Sequence, residues 1–483
     1  MRQTKLLIVG GGPAGYVAAL RAAQLGAKPL LVEVAELGGT CLNRGCVPTK
    51  SLIESSGLYR AIAGATATQH GITVTGASVD LGVMVRRKEE VTRTLRDALG
   101  VLLPSRGIEI IPGRARFVGP REVAVQSGGA ATTAGGGGHE ERVSFEQAVI
   151  CTGSSAWQPP IPGLELPGVI GSDEALVPTD VPPTLAVIGG GAVGCEFATI
   201  YASLGSKVTI IEMLPGLIPT EDAEMGQALQ YYMEARGVRV ITGARVELVE
   251  RLDPASDVEA GGGAALRIRL ATPSGPQTVD VARVLAAIGR RPNTAGLNLE
   301  AAGLAAGRRG EIPVDATMRT SVPGIFAAGD VTGGILLAHV AFEQGIVAVE
   351  NALGRRSRFS QGIIPRCIYT DPEVSAVGMT EAAAREEGYE VAVGRFPFSN
   401  SGRALAMAKS EGLVKVVAES GSGQLLGVHI IGPHASELIA EAALALHHGS
   451  TIDDFAQVIH PHPTLTESVK EAVLDCRGEA IHK

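Results

Sequence analysis

Two segments of this chain are near-copies of each other. Leu6–Glu33 reads LLIVGGGPAGYVAALRAAQLGAKPLLVE, and Leu185–Glu212 reads LAVIGGGAVGCEFATIYASLGSKVTIIE, at a constant offset of 179 residues. Gly10, Gly12 and Gly15 align with Gly189, Gly191 and Gly194, and Glu33 aligns with Glu212. Each copy passes from an apolar strand through a glycine turn into a helix, then into a second strand that ends on an acid. One such glycine trio is a weak signal, because glycine turns are common. Here both copies follow a strand, open a helix and carry an acid 23 residues after the first glycine, which is the dinucleotide-binding fingerprint. The first glycine makes the tight turn. The second lets backbone approach a pyrophosphate whose charge rests on the helix N-terminus, and the third lets helix and strand touch. Pro13 and Ala14 belong to the first turn and Val193 to the second. Glu33 and Glu212 are placed to accept hydrogen bonds from ribose hydroxyls. Two units imply two dinucleotides. Met213 and Leu214 follow Glu212 with no arginine to hold a 2′-phosphate, so the second site reads as NAD(H) rather than NADP(H).

The rest of the chain is built around these units. Its 483 residues correspond to about three domains at ~100–200 residues each. Prolines cluster over 151–182, and composition shifts again near 350–364, which places borders there. Two Gly/Ala-rich stretches, 127–141 and 253–265, read as loop insertions without chemistry. The net charge of −8 comes with no lysine- or arginine-rich block, so nucleic acid is not an expected partner. No apolar run approaches ~18 residues, so no membrane span is expected. The first strand begins almost at once, without a secretory signal. Six cysteines are too few for a disulfide scaffold. The expected address is the cytoplasm.

Cys41 and Cys46 stand in GGTCLNRGCVPTK, directly after the first unit. Zinc would need four ligands, usually in two paired sets, yet Cys151, Cys195, Cys367 and Cys476 stand apart and no histidine cluster accompanies the pair. A structural staple gains little in a well-cored cytoplasmic domain. A redox pair is the favoured reading. Pro48 suits a helix's first turn, and TKSLIESSGLYRAI continues with helical apolar spacing, so Cys46 falls at the helix's positive end. A thiolate is stabilised there. Lys50 adds a positive charge, as does Arg44 between the cysteines.

A dithiol reacts as its thiolate, so a base with a near-neutral pKa is required, and histidine suits. IHPHPTLTES offers His460 and His462. Glu467 has two readings: it could orient a histidine as the third member of a triad does, or complete a capping box from Thr464 that opens a helix over TLTESVKEAVLDC. It fills both roles only if its two oxygens divide the work. His460 could be a packed loop histidine, and His447-His448 reads as a helix end.

Cys41-Leu-Asn-Arg-Gly-Cys46, with Pro48 and Lys50, resembles the redox motif of the flavin-dependent pyridine nucleotide-disulfide oxidoreductases. The likeness covers essentially the whole chain: CTGS (151–154), IGRRPN (288–293), IFAAGDV (325–331), YTDPEV (369–374) and HPHPTLTE (460–467) fall in the family's order. Within the family the chain is most similar to the branch that oxidises dihydrolipoamide. The resemblance implies an α/β fold: two Rossmann-like domains, one for FAD (1–150, completed by 283–350) and one for NAD (151–282), with a C-terminal α+β dimerisation domain (351–483). It implies that Gly39, Thr40, Lys50, Ala115, Thr152, Gly153 and Asp330 line FAD, and that Ala338 opens a helix facing the flavin. Val246 and Gly289 would contact NAD. Lys50 would pair with Glu196 near the flavin; the plainer reading of Glu196 is a surface carboxylate. Cys41 would exchange with substrate while Cys46 faces the flavin. His462 would be the base, oriented by Glu467 and set across a twofold interface from the other subunit's disulfide. The implied partners are a second copy of the chain and lipoyl groups on an acyltransferase or an H-protein-like carrier; NAD⁺ accepts the electrons. Glutathione-type reductases normally use NADPH, which the Glu212-Met213 strand end does not suit. Mercuric reductases carry extra C-terminal cysteines, where this chain has Cys476 alone. The reading from another class is a flavin-loaded module with idle cysteines.

Overall fold

A computed structural model describes residues 2–127, 139–252 and 265–483. The two predicted loop insertions fall almost wholly outside the described residues. The chain divides into two compact units. One comprises Met1–Ser51, Val85–Trp157 and Gly289–Ser360; the other comprises Leu52–Met84, Gln158–Ile288 and Gln361–Lys483.

The first unit is organised by a mixed sheet. The strand Arg2–Val9 pairs in parallel with Leu30–Glu33 on one side and Glu140–Ile150 on the other; Glu109–Pro112 extends the sheet beyond Leu30–Glu33. Leu6, Leu7, Ile8 and Val9 are all buried, which is why this strand reads as a continuous apolar run rather than an alternation. Glu140–Ile150 is long enough to serve two partners: its first half pairs antiparallel with Glu122–Gln126, and its last three residues pair in parallel with Ile325–Ala327. The two strands that flank the first insertion therefore pair with each other. The helix Pro13–Gln24 buries an alanine face of Ala14, Ala18, Ala19 and Ala22. The helix Ala338–Ala352 crosses it at Gly345, where an added Cβ would stand 2.4 Å from Ala14 O, so only glycine permits the contact.

The second unit repeats the design and then adds to it. Five parallel strands lie in the order Arg239–Ile241, Lys207–Ile211, Thr184–Ile188, Arg283–Ala286, Val169–Ile170. The helix Ala192–Ser203 packs on them, and an antiparallel meander, Arg245–Arg251, Leu266–Thr272 and Gly275–Val281, follows. The C-terminal part is a five-stranded antiparallel sheet, Arg366–Ile368, Glu373–Gly378, Leu425–Gly432, Leu413–Glu419, Val391–Pro397, covered by the helices Ala435–His447 and Glu467–Asp475. This is the expected fold class: two Rossmann-like units and a C-terminal α+β region. Among the described residues, no helix is long and apolar enough to cross a membrane, and no group of three or more His, Cys, Asp or Glu could hold a metal.

Candidate active site and cofactor sites

The two glycine turns match down to single hydrogen bonds. Gly10 (φ 106°) and Gly189 (φ 109°) hold the left-handed conformation that favours glycine. A Cβ on Gly15 would stand 1.7 Å from Gly10 O, and one on Gly194 1.9 Å from Gly189 O, so in both copies the third glycine admits the turn's own carbonyl. Glu33 accepts Gly11 N–H at 2.5 Å and Ala35 N–H at 2.7 Å; Glu212 accepts Gly190 N–H at 2.6 Å and Leu214 N–H at 2.7 Å. The acids thus lock the turns, and lone pairs remain on each carboxylate for a ribose.

Both turns fit a pyrophosphate on their own chemistry. Gly12 and Gly191 cap the helices Pro13–Gln24 and Ala192–Ser203 without a side-chain acceptor, which leaves the first-turn N–H groups to a ligand. Beyond Gly12, the nearest atom to an added Cβ is Gly39 Cα at 3.7 Å; around Gly191 nothing lies within 4 Å. Gly39 (φ 57°) sits close above Gly12, with Thr40 next to it in the helix Gly39–Arg44. Asp330 follows Gly329, whose added Cβ would lie 3.1 Å from Ala14 Cβ, so the AAGD motif lies beside the first turn. Its carboxylate accepts Ser154 Oγ–H at 2.5 Å, and Arg290 Nε donates to the same hydroxyl at 2.7 Å. Thr152 and Gly153 are tied to Asn293: Thr152 Oγ donates to Asn293 O, and Asn293 N–H donates to Gly153 O. Ala115 is buried in the strand Arg114–Gly119, and Ala338 is the first residue of its helix, as expected. In the second unit Val193 is exposed on the helix's first turn, and Val246 is buried in Arg245–Arg251. Gly289 (φ 123°) closes the IGRRPN turn of the first unit and accepts Trp157 N–H.

The cysteines lie on either side of a helix break. Cys41 is within Gly39–Arg44, Gly45 ends that helix, and Cys46 begins the helix Cys46–Ala63. Both are thiols here, Cys46 exposed and Cys41 partly buried. A hydrogen bond with Cys46 pushes the Cys41 thiol well above its ordinary pKa; burial and the charge of an ionised Cys46 act the same way, while Lys50 pulls it down. Lys50 stands one helical turn after Cys46. Arg44 differs from expectation: its guanidinium pairs with Glu36 at 2.8 Å, so its charge is balanced locally. Tyr16, which sequence reading passed over, feels the charge of Cys41, and burial chiefly raises its phenol.

Glu196 is buried on Ala192–Ser203, and its Oε1 accepts Tyr369 N–H at 3.0 Å, so the plainer surface reading does not hold. The apolar character of the flanking residues Cys195 and Phe197 already hinted at this.

The two histidines of IHPHP part company. The ring of His460 is only 4% exposed, bonded to Glu441 at 2.7 Å and stacked on Phe455. The ring of His462 is 79% exposed, with Nδ1 2.9 Å from Glu467 Oε1. Glu467 Oε2 accepts Thr464 N–H at 2.8 Å. The carboxylate does divide its oxygens between the two roles. The helix itself starts at Glu467 rather than Thr464, because Thr464 Oγ turns away to donate to Pro461 O. Burial pushes the Glu467 carboxyl up, but the Thr464 and His462 hydrogen bonds outweigh it and hold the group below its ordinary value. His447 closes its helix as expected. Cys476 is half-buried, bonded to Val416 O and Ala472 O, and its thiol is pushed up to about 11 by burial.

One cluster gave no sequence signal. The Lys415 ammonium, 4% exposed, meets Asp222 at 2.9 Å, Glu381 at 3.0 Å and Glu224 at 3.2 Å, and Arg395 also bonds Glu224. These residues come from four separate elements, so no local spacing announces them.

Comparison with known proteins agrees with this geometry. Residues 4–345 match the pyridine nucleotide-disulphide oxidoreductase family, and residues 364–473 match that family's dimerisation domain, which supports a homodimer. The dihydrolipoyl dehydrogenase of Thermus scotoductus is 41% identical, covering 100% of this chain and 99% of its own. The mitochondrial dihydrolipoyl dehydrogenase of Pisum sativum is 36% identical, covering 99% and 93%. Among solved structures, LpdA from Mycobacterium tuberculosis superposes with a TM-score of 0.85 at 29% identity, covering 97% and 99%. The HOCl-induced flavoprotein disulfide reductase RclA of Escherichia coli superposes with a TM-score of 0.83, also at 29% identity, covering 97% and 99%. A chain with two dinucleotide turns, a cysteine pair after the first and a carboxylate-held histidine near its end thus belongs to the pyridine nucleotide-disulphide oxidoreductases, FAD-dependent enzymes that work with NAD⁺/NADH.

Proposed function

We propose that this enzyme oxidises dihydrolipoyl groups carried on a partner protein, with Cys41–Cys46 as the working disulfide and NAD⁺ as the final acceptor. The observation that carries the reading is the hydrogen-bonded contact of Cys41 with Cys46 within a chain that matches dihydrolipoyl dehydrogenases end to end. His462, with Nδ1 held by Glu467, keeps Nε2 free to take a proton from the first substrate thiol. That thiolate attacks Cys41 Sγ, the Cys41–Cys46 bond breaks, and Cys46 leaves as a thiolate. The second substrate thiol, deprotonated in turn, attacks the first substrate sulfur and expels Cys41, leaving lipoyl disulfide and a reduced pair. Two electrons have then entered the protein. Bound FAD supplies the transfer of this electron pair to NAD⁺. Lys50, one turn from Cys46, would favour a thiolate at this end of the helix.

The first glycine turn, with Gly39, Thr40, Ala115, Thr152, Gly153, Asp330 and Ala338, would hold FAD. The second, with Val193, Glu212, Val246 and Gly289, would hold NAD(H). Glu196 would lie with Lys50 near the flavin, and His462 would serve the disulfide of the opposite subunit, in line with the family resemblance. The lipoyl carrier would be an acyltransferase or an H-protein-like domain, in the cytoplasm, in keeping with the sparse cysteines. Steady-state assays test the reading. Turnover of dihydrolipoamide with NAD⁺ should far exceed turnover of oxidised glutathione or mercuric ion with NADPH. A faster reaction with either of the latter overturns it.

A further inference from the structure

The helix Glu467–Asp475 carries two histidine–carboxylate pairs one turn apart. Glu467 receives His462 and Thr464. Four residues on, Glu471 receives His482 Nδ1 at 2.7 Å on Oε1, and the N–H groups of Ile481 and His482 at 2.7 and 3.2 Å on Oε2. Residues at i and i+4 are neighbours on a helix face. The second histidine belongs to the last residues of the chain, which turn back after Gly478 (φ 70°). Asn400 Nδ2 donates to His482 O at 3.2 Å, and Lys483 Nζ reaches Asp475 at 2.6 Å, so the tail is tied at both ends of its last turn.

Glu471 is buried, and a buried carboxylate is costly unless donors saturate it. The tail provides three donors. Burial raises the Glu471 carboxyl, and the tail's hydrogen bonds bring it net below its ordinary value. His482 also acts electrostatically on Glu467. Glu467 itself is the first residue of its helix, and Thr466, the capping position, makes no side-chain cap hydrogen bond. Ser468 and Val469 are fully buried and pack one side of this turn, and the tail's donors meet the side that carries Glu467 and Glu471. Within one subunit the ring of His462 is exposed, and Glu467 is the side chain bonded to it.

We propose that the C-terminal tail, through His482 seated on Glu471, is a positioning element for the His462–Glu467 pair, with His482 as its positioning residue. This rests on the reading of His462 as the base. A donated hydrogen bond from Nδ1 to Glu467 fixes the tautomer whose Nε2 lone pair takes the proton. A helix turn steadied by the tail keeps that bond formed.

The test uses the FAD-loaded, ¹⁵N-histidine-labelled homodimer at neutral pH, with the His462 signals assigned by their loss in His462→Gln. In the parent enzyme, His462 nitrogen shifts should report the Nδ1–H tautomer. His482→Ala should move them toward the Nε2–H tautomer and lower kcat about three- to tenfold, the reach of one net hydrogen bond, with KM for dihydrolipoamide unchanged. His482→Asn, whose amide keeps a donor near the Nδ1 position, should restore both. If His482→Ala leaves the tautomer and kcat as in the parent while His462→Gln is inactive, the tail's role is overturned and the base assignment stands. If His462→Gln keeps full turnover, both fall.

Discussion

His462 Nδ1 lies 2.9 Å from a Glu467 carboxylate whose other oxygen is bonded to Thr464 N–H, so one side chain orients a ring and anchors the turn before its own helix. Glu467→Gln removes the charge that steadies a protonated His462 while leaving an acceptor in place. We expect kcat with dihydrolipoamide to fall about tenfold or more. Stopped-flow reduction by dihydrolipoamide should slow to match. Unchanged reduction would remove Glu467 from the acid–base role.

The cysteine pair should be countable. Of six cysteines, four should titrate in the oxidised, unfolded chain and all six after reduction. Cys41→Ser and Cys46→Ser should each lose dihydrolipoamide turnover while keeping bound, yellow FAD. A Cys46→Ser enzyme at full activity would end the disulfide reading.

The glycines separate folding from binding. Gly15→Ala puts a methyl 1.7 Å from the Gly10 carbonyl, backbone against backbone, and should prevent accumulation of folded, FAD-loaded enzyme. Gly191→Ala meets nothing within 4 Å, so its melting temperature should equal that of the parent. Its KM for NAD⁺ should nonetheless rise about tenfold, or ~1.4 kcal/mol, because the methyl stands where the pyrophosphate must approach. An unaltered KM would place NAD⁺ elsewhere.

The Lys415 cluster should set the acid limit of stability. In Asp222, Glu224 and Glu381 burial pushes each carboxyl up, but the bonds to Lys415 and its neighbours hold the net values below the ordinary 3.8 and 4.5. Depressed carboxylates contribute stability above those ordinary values and lose it as pH falls through the folded ones. His429, held by burial below its ordinary 6.5, acts in the same sense from pH 6.5 downward. Melting temperature should therefore be flat from pH 6.5 to about 8, decline below pH 6.5 and drop steeply under pH 4.5. Lys415→Met should cost about 3 kcal/mol or more at neutral pH, since it leaves buried Asp222 without a cation while Glu224 keeps Arg395 and Glu381 keeps Arg385, and the gap to the parent should narrow as Asp222 protonates. Denaturant midpoints across this range measure both; a constant gap would contradict the account.

The sequence by itself determined what is local and periodic. The glycine turns, the strands that feed them, the acid at each strand end and the helix behind Cys46 are all consequences of φ preference, apolar spacing and short-range sterics, so they were legible residue by residue. So was the choice Glu467 faced, though not its outcome. Only the tertiary structure decided which of two neighbouring histidines is packed and which is free, because that depends on Phe455 and Glu441 arriving from other elements. The same holds for Glu196, buried with Tyr369 N–H bonded to it, for Arg44, neutralised by Glu36, and for Lys415 with its three acids. Charge pairing and burial are properties of neighbours in space, and a linear pattern carries no record of which residues folding brings into contact.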